Sequence, residues 1–208
     1  MKIRNPGRRY AVAGALAAVC VLAAAPAGNA RPAPEQVAPE AFLTGDELPT
    51  HVTGWYSSGA QQGLPEWPVF CFENELPAEG SWHQPYWTEY DTNAVQVIVE
   101  TGTAGEAAEL ADALTEAAAD CAPDWLRDNP GSTAGWDDHG PVDAADGGHI
   151  FSVYTAPPEA GTGVRLFGIG RDGTRVTVVD WGQMGQLSDA PVDEFRTTLT
   201  TALAKLGA

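Results

Sequence analysis

Apolar residues recur along this chain with two different periods, and the switch from one to the other marks out its elements. From Ala94 to Glu100 the run Ala-Val-Gln-Val-Ile-Val-Glu alternates, which puts Val95, Val97 and Val99 on one face of a strand. The β-prone segment Tyr86–Tyr90 precedes it, and Asp91-Thr92-Asn93 between them has hairpin chemistry. Ile150–Tyr154, Val164–Gly170 and Arg175–Trp181 read as further strands. The last two are joined at Asp172-Gly173, residue types that tolerate the positive φ of a tight turn.

The period lengthens at Thr103. Thr103 and Glu106 form a capping box, and Leu110, Leu114, Ala117 and Cys121 then fall on one stripe of an Ala-rich helix that ends before Pro123. A second helix opens at Pro191, with Val192, Phe195, Leu199, Leu203 and Leu206 as its apolar stripe and Gly207 as its stop. Phe42–Pro49 reads as a short turn capped by Thr44 that tucks Phe42, Leu43 and Leu48 inward. His51–Glu79 is irregular and aromatic, and Asp124–Gly148, rich in Gly, Asp and Pro, reads as a long loop or broken strand. These elements predict an α+β fold: a mostly antiparallel β-sheet packed against two main helices, about 104–121 and 191–206. The most economical packing sets both helices on one face and leaves the other to solvent or ligand.

The N-terminus changes the setting. Arg4, Arg8 and Arg9 lead into an apolar run from Tyr10 to Ala25 that closes on Gly28-Asn29-Ala30, the pattern of a signal peptide over residues 1–30. The expected product is secreted. Cleavage before Cys20 with lipid anchoring is the alternative, disfavoured by Val19 beside the cut. The apolar run is too short to span a membrane, and no later segment is apolar enough to do so. Residues 31–40, with three prolines and no apolar periodicity, read as a flexible spacer, and residues 41–208 as a single domain. Loss of the leader takes Cys20 with it, so Cys71 and Cys121 remain as the expected disulfide in an oxidising compartment. The leader also removes four basic residues, which leaves seven against 28 acidic ones, a formal charge of −21. Such a field repels phosphate backbones and anionic lipid surfaces, so nucleic acid is not an expected partner.

Phe42-Leu43-Thr44-Gly45-Asp46-Glu47-Leu48-Pro49 resembles the Leu-Leu-Thr/Ser-x-x-Asp-Leu-Pro opening of the PknH-like extracellular sensor domain family of secreted, lipoprotein and receptor-kinase ectodomains. The order of Cys71, the strand before an Ala-rich helix, Cys121 at that helix's end, the late strands and the C-terminal helix is similar too. The resemblance implies an α+β domain with a ligand-receiving groove. The sequence departs from the family in carrying no kinase domain and one disulfide where some relatives carry two, and no catalytic residue carries over.

Candidate chemistry is sparse. Asp137, Asp138, His139, Asp143, Asp146 and His149 form the densest polar cluster, but they lack both the helical spacing of paired His ligands and the alternation of a calcium loop, so a loop of Asx turns is the expected reading and no metal or cofactor is assigned. No serine lies in a Gly-x-Ser-x-Gly elbow, and paired carboxylates for glycoside cleavage need only spatial proximity, which sequence does not show. Gly168-Ile169-Gly170 lies within a strand and reads as close packing rather than a phosphate loop. The aromatics near loops are the better lead, because Trp and Tyr offer rigid apolar area with a polar tip. The sequence thus predicts a secreted, monomeric, non-catalytic ligand-binding or sensor-type module. Its small-molecule, glycan or cell-wall ligand is expected against Trp82, Trp87, Trp136 and Trp181. A secreted hydrolase of unrecognised type, or an inhibitor presenting the loop between Trp55 and Trp67, are the alternatives.

Overall fold

The computed structural model describes residues 37–207, so the expected leader and residues 31–36 of the spacer lie outside the described residues. The strands are β1 (Tyr56–Ser57), β2 (Gln61–Gln62), β3 (Ser81–Trp87), β4 (Asn93–Glu100), β5 (Thr133–Val142), β6 (Gly148–Ala156), β7 (Gly163–Asp172) and β8 (Arg175–Met184). Two helices, α1 (Ala104–Asp128) and α2 (Val192–Leu206), accompany them. All eight strands join one sheet in the order β1-β3-β4-β8-β7-β6-β5, with β2 also on β3, and every pairing is antiparallel. Cys71 and Cys121 are joined, their Cα atoms 5.5 Å apart. The fold is α+β with one disulfide.

The helices do not share a face. Val164 and Leu166 of β7 and Val179 and Trp181 of β8 belong to the core under α2, whereas Phe167, Ile169, Val176 and Val178 belong to the core under α1. Consecutive residues of one strand are therefore buried on opposite sides, which is why β7 and β8 read as nearly continuous apolar runs. A sheet with one wet face would show polar residues at every second position. Val95, Val97 and Val99 do share a face, packed on the α1 side.

Glycine sets the closeness of α2. A Cβ on Gly170 would stand 2.6 Å from Leu203 Cδ2 and 2.9 Å from the Gly147 carbonyl oxygen, and one on Gly148 would meet Leu203 at 3.1 Å. The glycine pair at 168 and 170 is thus close packing, as its place in a strand predicts. Gly170→Val is expected to cost about 1–3 kcal/mol through overpacking, read as a lower urea midpoint with an unchanged m-value.

Four boundaries differ from the periodic reading. Strand β3 spans Ser81–Trp87 rather than Tyr86–Tyr90, and residues 88–92 connect it to β4. Helix α1 runs through Pro123 to Asp128, where the Asn129 side chain closes it by donating to the Trp125 carbonyl at 2.8 Å. Proline forfeits one helical donor, but Cys121 and Ala122 on the preceding turn are buried and hold the helix to the sheet. Asp124–Gly148 is neither all loop nor formless: it holds the end of α1 and the edge strand β5, which its Gly, Asp, Pro141 and a bulge between Asp138 and Gly140 had disguised. The β7–β8 turn has Gly173-Thr174 at its centre, one residue later than expected, with positive φ at Gly173.

The N-terminal segment folds against the α2 side of the sheet. Gln96, fully buried, accepts the Leu43 amide at 2.8 Å, while Gln84 and Tyr86 donate to the Leu43 carbonyl. Thr198 and Lys205 of α2 donate to the Glu47 and Phe42 carbonyls. Phe42, Leu43 and Leu48 are buried as the pattern predicts, and Val37 joins the same core.

Candidate functional site

With α2 and the N-terminal segment over one face, open concave surface is found on the other. Between the Cys71 loop and the second half of α1 lies a groove of about 600 Å³, within the usual size of small-molecule sites. Its apolar lining is Phe70, Ala113, Ala117, Trp125 and the disulfide. Six exposed carboxylates surround these groups: Glu73 and Glu75 from the loop, and Glu116, Asp120, Asp124 and Asp128 from α1.

The four helical carboxylates follow one another at intervals of four residues, about 6 Å apart along the axis. Like charges at that interval disfavour a helix. Arg127 offsets part of the repulsion, with its guanidinium 2.6 Å from Asp124 and 3.6 Å from Asp128. No ion pair or side-chain hydrogen bond engages Glu73, Glu75, Glu116 or Asp120 among the described residues. The groove is thus a mostly polar trough with a smaller apolar share, under a strongly negative field.

Charge also lies beneath the loop. Asp180 of β8 is 2% exposed and takes Arg165 Nη1 on Oδ2 at 2.6 Å, while its Oδ1 has no partner among the described residues. The Arg165 guanidinium lies 5.5 Å from the centre of the Phe70 ring. Burial pushes the Asp180 carboxyl above the ordinary carboxylate range even with Arg165 beside it, and Glu73 on the groove adds to the rise.

The tryptophans named from the sequence separate. Trp181 is 2% exposed in the α2-side core, and Trp82 packs half-buried against the same core. Trp87 and Trp136 are open, 43% and 42% exposed. The strand registers put these two on the α1 side of the sheet, at opposite edges. Trp87 stacks on Tyr56 with centroids 6.5 Å apart, and Trp136 tilts against Phe151. The sheet therefore stands between the Trp82–Trp181 pair and the other two. Of the loop proposed for an inhibitor, Trp55 is held by its donation to the Pro49 carbonyl, while Trp67 is 83% exposed.

The polar cluster 137–149 is divided as well. His149 Nε2 donates to Asp138 Oδ1 at 2.6 Å, and its ring stacks on Phe151 of the α1 side. That bond to His149, helped by the Gly140 amide, holds the Asp138 carboxyl below its usual range. His139, past the bulge, turns to the other side and bonds Ser152 at 2.8 Å. Two histidines on opposite faces cannot share an ion, and among the described residues no group of three metal-ligating side chains converges. The Ser152–His139 contact has the composition of a hydrolase dyad. Yet Ser152 is 1% exposed, and among the described residues no carboxylate is bonded to the half-buried imidazole, so the hydroxyl is closed off from a substrate carbonyl.

The sequence reading did not find the groove. Its signal was present in the acidic residues 112, 116, 120, 124 and 128, but a helix ended before Pro123 hides the second half of that stripe. No family model and no curated protein matches this chain. Among solved structures, the chain is similar to the extracellular domain of PknH from Mycobacterium tuberculosis, at 10% identity and a TM-score of 0.44, over 73% of this chain and 85% of that one.

Proposed function

We propose that this chain is a secreted, non-catalytic binding module of sensor type, and that its ligand is a small amphipathic cation seated in the groove between the Cys71 loop and α1. The groove itself carries the reading: six exposed carboxylates and one guanidinium line a trough large enough for a small molecule, with Phe70, Trp125 and alanines as its apolar part. An ammonium or guanidinium group finds unpaired carboxylates there, and its hydrocarbon portion finds Phe70, Trp125 and alanine faces. The leader pattern and the disulfide support secretion. A sealed Ser152 supports a binding rather than a hydrolytic role.

The test is calorimetric titration of the purified mature chain with spermidine, with chitotetraose as the neutral comparison, and amide exchange to locate the change. Spermidine is expected to bind saturably and to protect residues 70–75 and the second half of α1. The double variant Glu116→Gln/Asp120→Asn is expected to weaken binding about tenfold, roughly 1.4 kcal/mol, while Asp91→Asn/Asp143→Asn, equal in charge but away from the groove, leaves it within about twofold. Equal weakening by both variants would show diffuse attraction and overturn the site. The stacked, open Tyr56–Trp87 pair favours a second reading, a glycan platform at the sheet edge. Chitotetraose binding that perturbs Trp87 and leaves the groove unchanged would put that reading in its place.

A further inference from the structure

Both half-cystines line the groove, Cys71 half-buried and Cys121 3% exposed. From the end of β2 to the start of β3, residues 63–80 contain no helix or strand. The ends are tied to the sheet, Gly63 to the Ser81 carbonyl and Glu100 to the Gly80 carbonyl, but between them the backbone hydrogen bonds are local, such as Phe72 to the Val69 carbonyl and Leu76 to the Phe72 carbonyl, and among the described bonds none reaches α1 from residues 64–79. Val69, Phe72 and Leu76 bury apolar surface in the α1-side core, so the segment is held to the helix by that burial and by one covalent tie. At the tie, Cys71 has φ 65°, one of two non-glycine residues in the left-handed region among those described. L-residues adopt this region uncommonly.

We propose that the Cys71–Cys121 disulfide is a redox-operated latch on the groove, opened by neutral or cationic thiol reductants that enter past its carboxylates. The proposal rests on the groove being the ligand seat and adds how that seat is regulated. The incoming thiolate attacks Cys71 Sγ, a mixed disulfide forms, and Cys121 Sγ leaves as a thiolate and takes a proton from solvent. A second thiol of the reductant attacks the mixed disulfide and releases Cys71 as a thiolate, which is protonated in turn. The reductant ends as a disulfide, and the protein gains two electrons and two protons. Cys71 is then free to leave its left-handed conformation, and the loop wall of the groove loses its covalent hold on α1. Glu73, Glu75, Glu116 and Asp120 repel anionic reagents on the way in and concentrate cationic ones.

Reduction rates of the native mature chain with cysteamine, mercaptoethanol and mercaptoacetate test this, each normalised to the same thiol's rate on a small exposed disulfide. Cysteamine is expected to exceed mercaptoacetate by about tenfold or more, with the ratio collapsing near roughly 1 M salt and in Glu116→Gln/Asp120→Asn. The rate should rise linearly with thiol concentration, and exchange after reduction should increase over residues 63–80 while β7 and β8 stay protected. A rate that saturates with thiol at the global unfolding rate, no preference for reagent charge, or exchange rising across the whole sheet would overturn the latch. A spermidine affinity unchanged by reduction overturns the latch alone and leaves the binding reading standing. Failure of spermidine to bind the oxidised form overturns the binding reading, while thiol access and exchange still decide whether the latch opens.

Discussion

Arg165→Met is expected to destabilise the fold by about 3–5 kcal/mol at neutral pH, because it strands a carboxylate inside the sheet. Asp180 is 2% exposed, Arg165 is its hydrogen-bond donor, and its second oxygen has no partner among the described residues. Burial already holds the Asp180 carboxyl above its unfolded range. A raised native pKa means that the folded state binds the proton more tightly than the unfolded chain. The stabilisation is then fully present below the unfolded value, about 4, and is lost as pH rises through the folded one. Arg165 opposes that rise, so removing its charge lifts the native value further and widens the window. The deficit of the variant against the parent chain should therefore shrink as pH falls from neutral towards that of an ordinary carboxylate. Urea unfolding at the two ends of that range measures it. Adding Asp180→Leu should recover most of the loss, since no charge is then left buried. An equal deficit at both pH values, or no recovery in the double variant, would mean that Arg165 contributes chiefly by packing on Phe70.

What the sequence made legible follows from how local each signal was. The α2 stripe, the Thr103 cap, β4 and the β7–β8 hairpin depend on residues within a few positions of one another, and they appear close to where the pattern puts them, whereas β3 begins five residues before the segment read as its strand. The side of the sheet on which a helix lies depends on every strand at once. Here the clue was compositional: Val176, Val178, Val179 and Trp181 leave little alternation for a wet face. The edge strand β5 was hidden by the features that protect an edge, a bulge, a proline and acidic side chains. The tryptophans misled for a different reason. A ring such as Trp181 is equally at home in a core or against a ligand, and only the register distinguishes them. The groove needed both the extended α1 and the Cys71 loop brought to it across 50 residues, so no short window contained it.

Phe195→Ala is expected to cost about 3–5 kcal/mol, because it opens a cavity where α2 packs on Gly168 of the sheet. Phe195 is fully buried, and a Cβ on Gly168 would lie 3.1 Å from its ring and 3.1 and 3.2 Å from the two Leu199 methyls. The helix is thus seated in a notch to which the missing methyl group of Gly168 contributes, beside those of Gly148 and Gly170. Gly168→Ala alone should lose about 1–3 kcal/mol by overpacking. In the Phe195→Ala background one of its two neighbours is gone, so the second substitution should cost less than it does alone, by an interaction of about 0.5–3 kcal/mol in a double-mutant cycle. Additivity within about 0.5 kcal/mol would show that α2 is held elsewhere, through Arg196 on the His139 and Pro141 carbonyls and Thr198 on that of Glu47. The cycle also bears on function. A helix locked into the sheet by a glycine notch leaves no room for a ligand beneath it, whereas the loop opposite α1 is held by burial and a single crosslink. The face that can yield is the one that carries the groove.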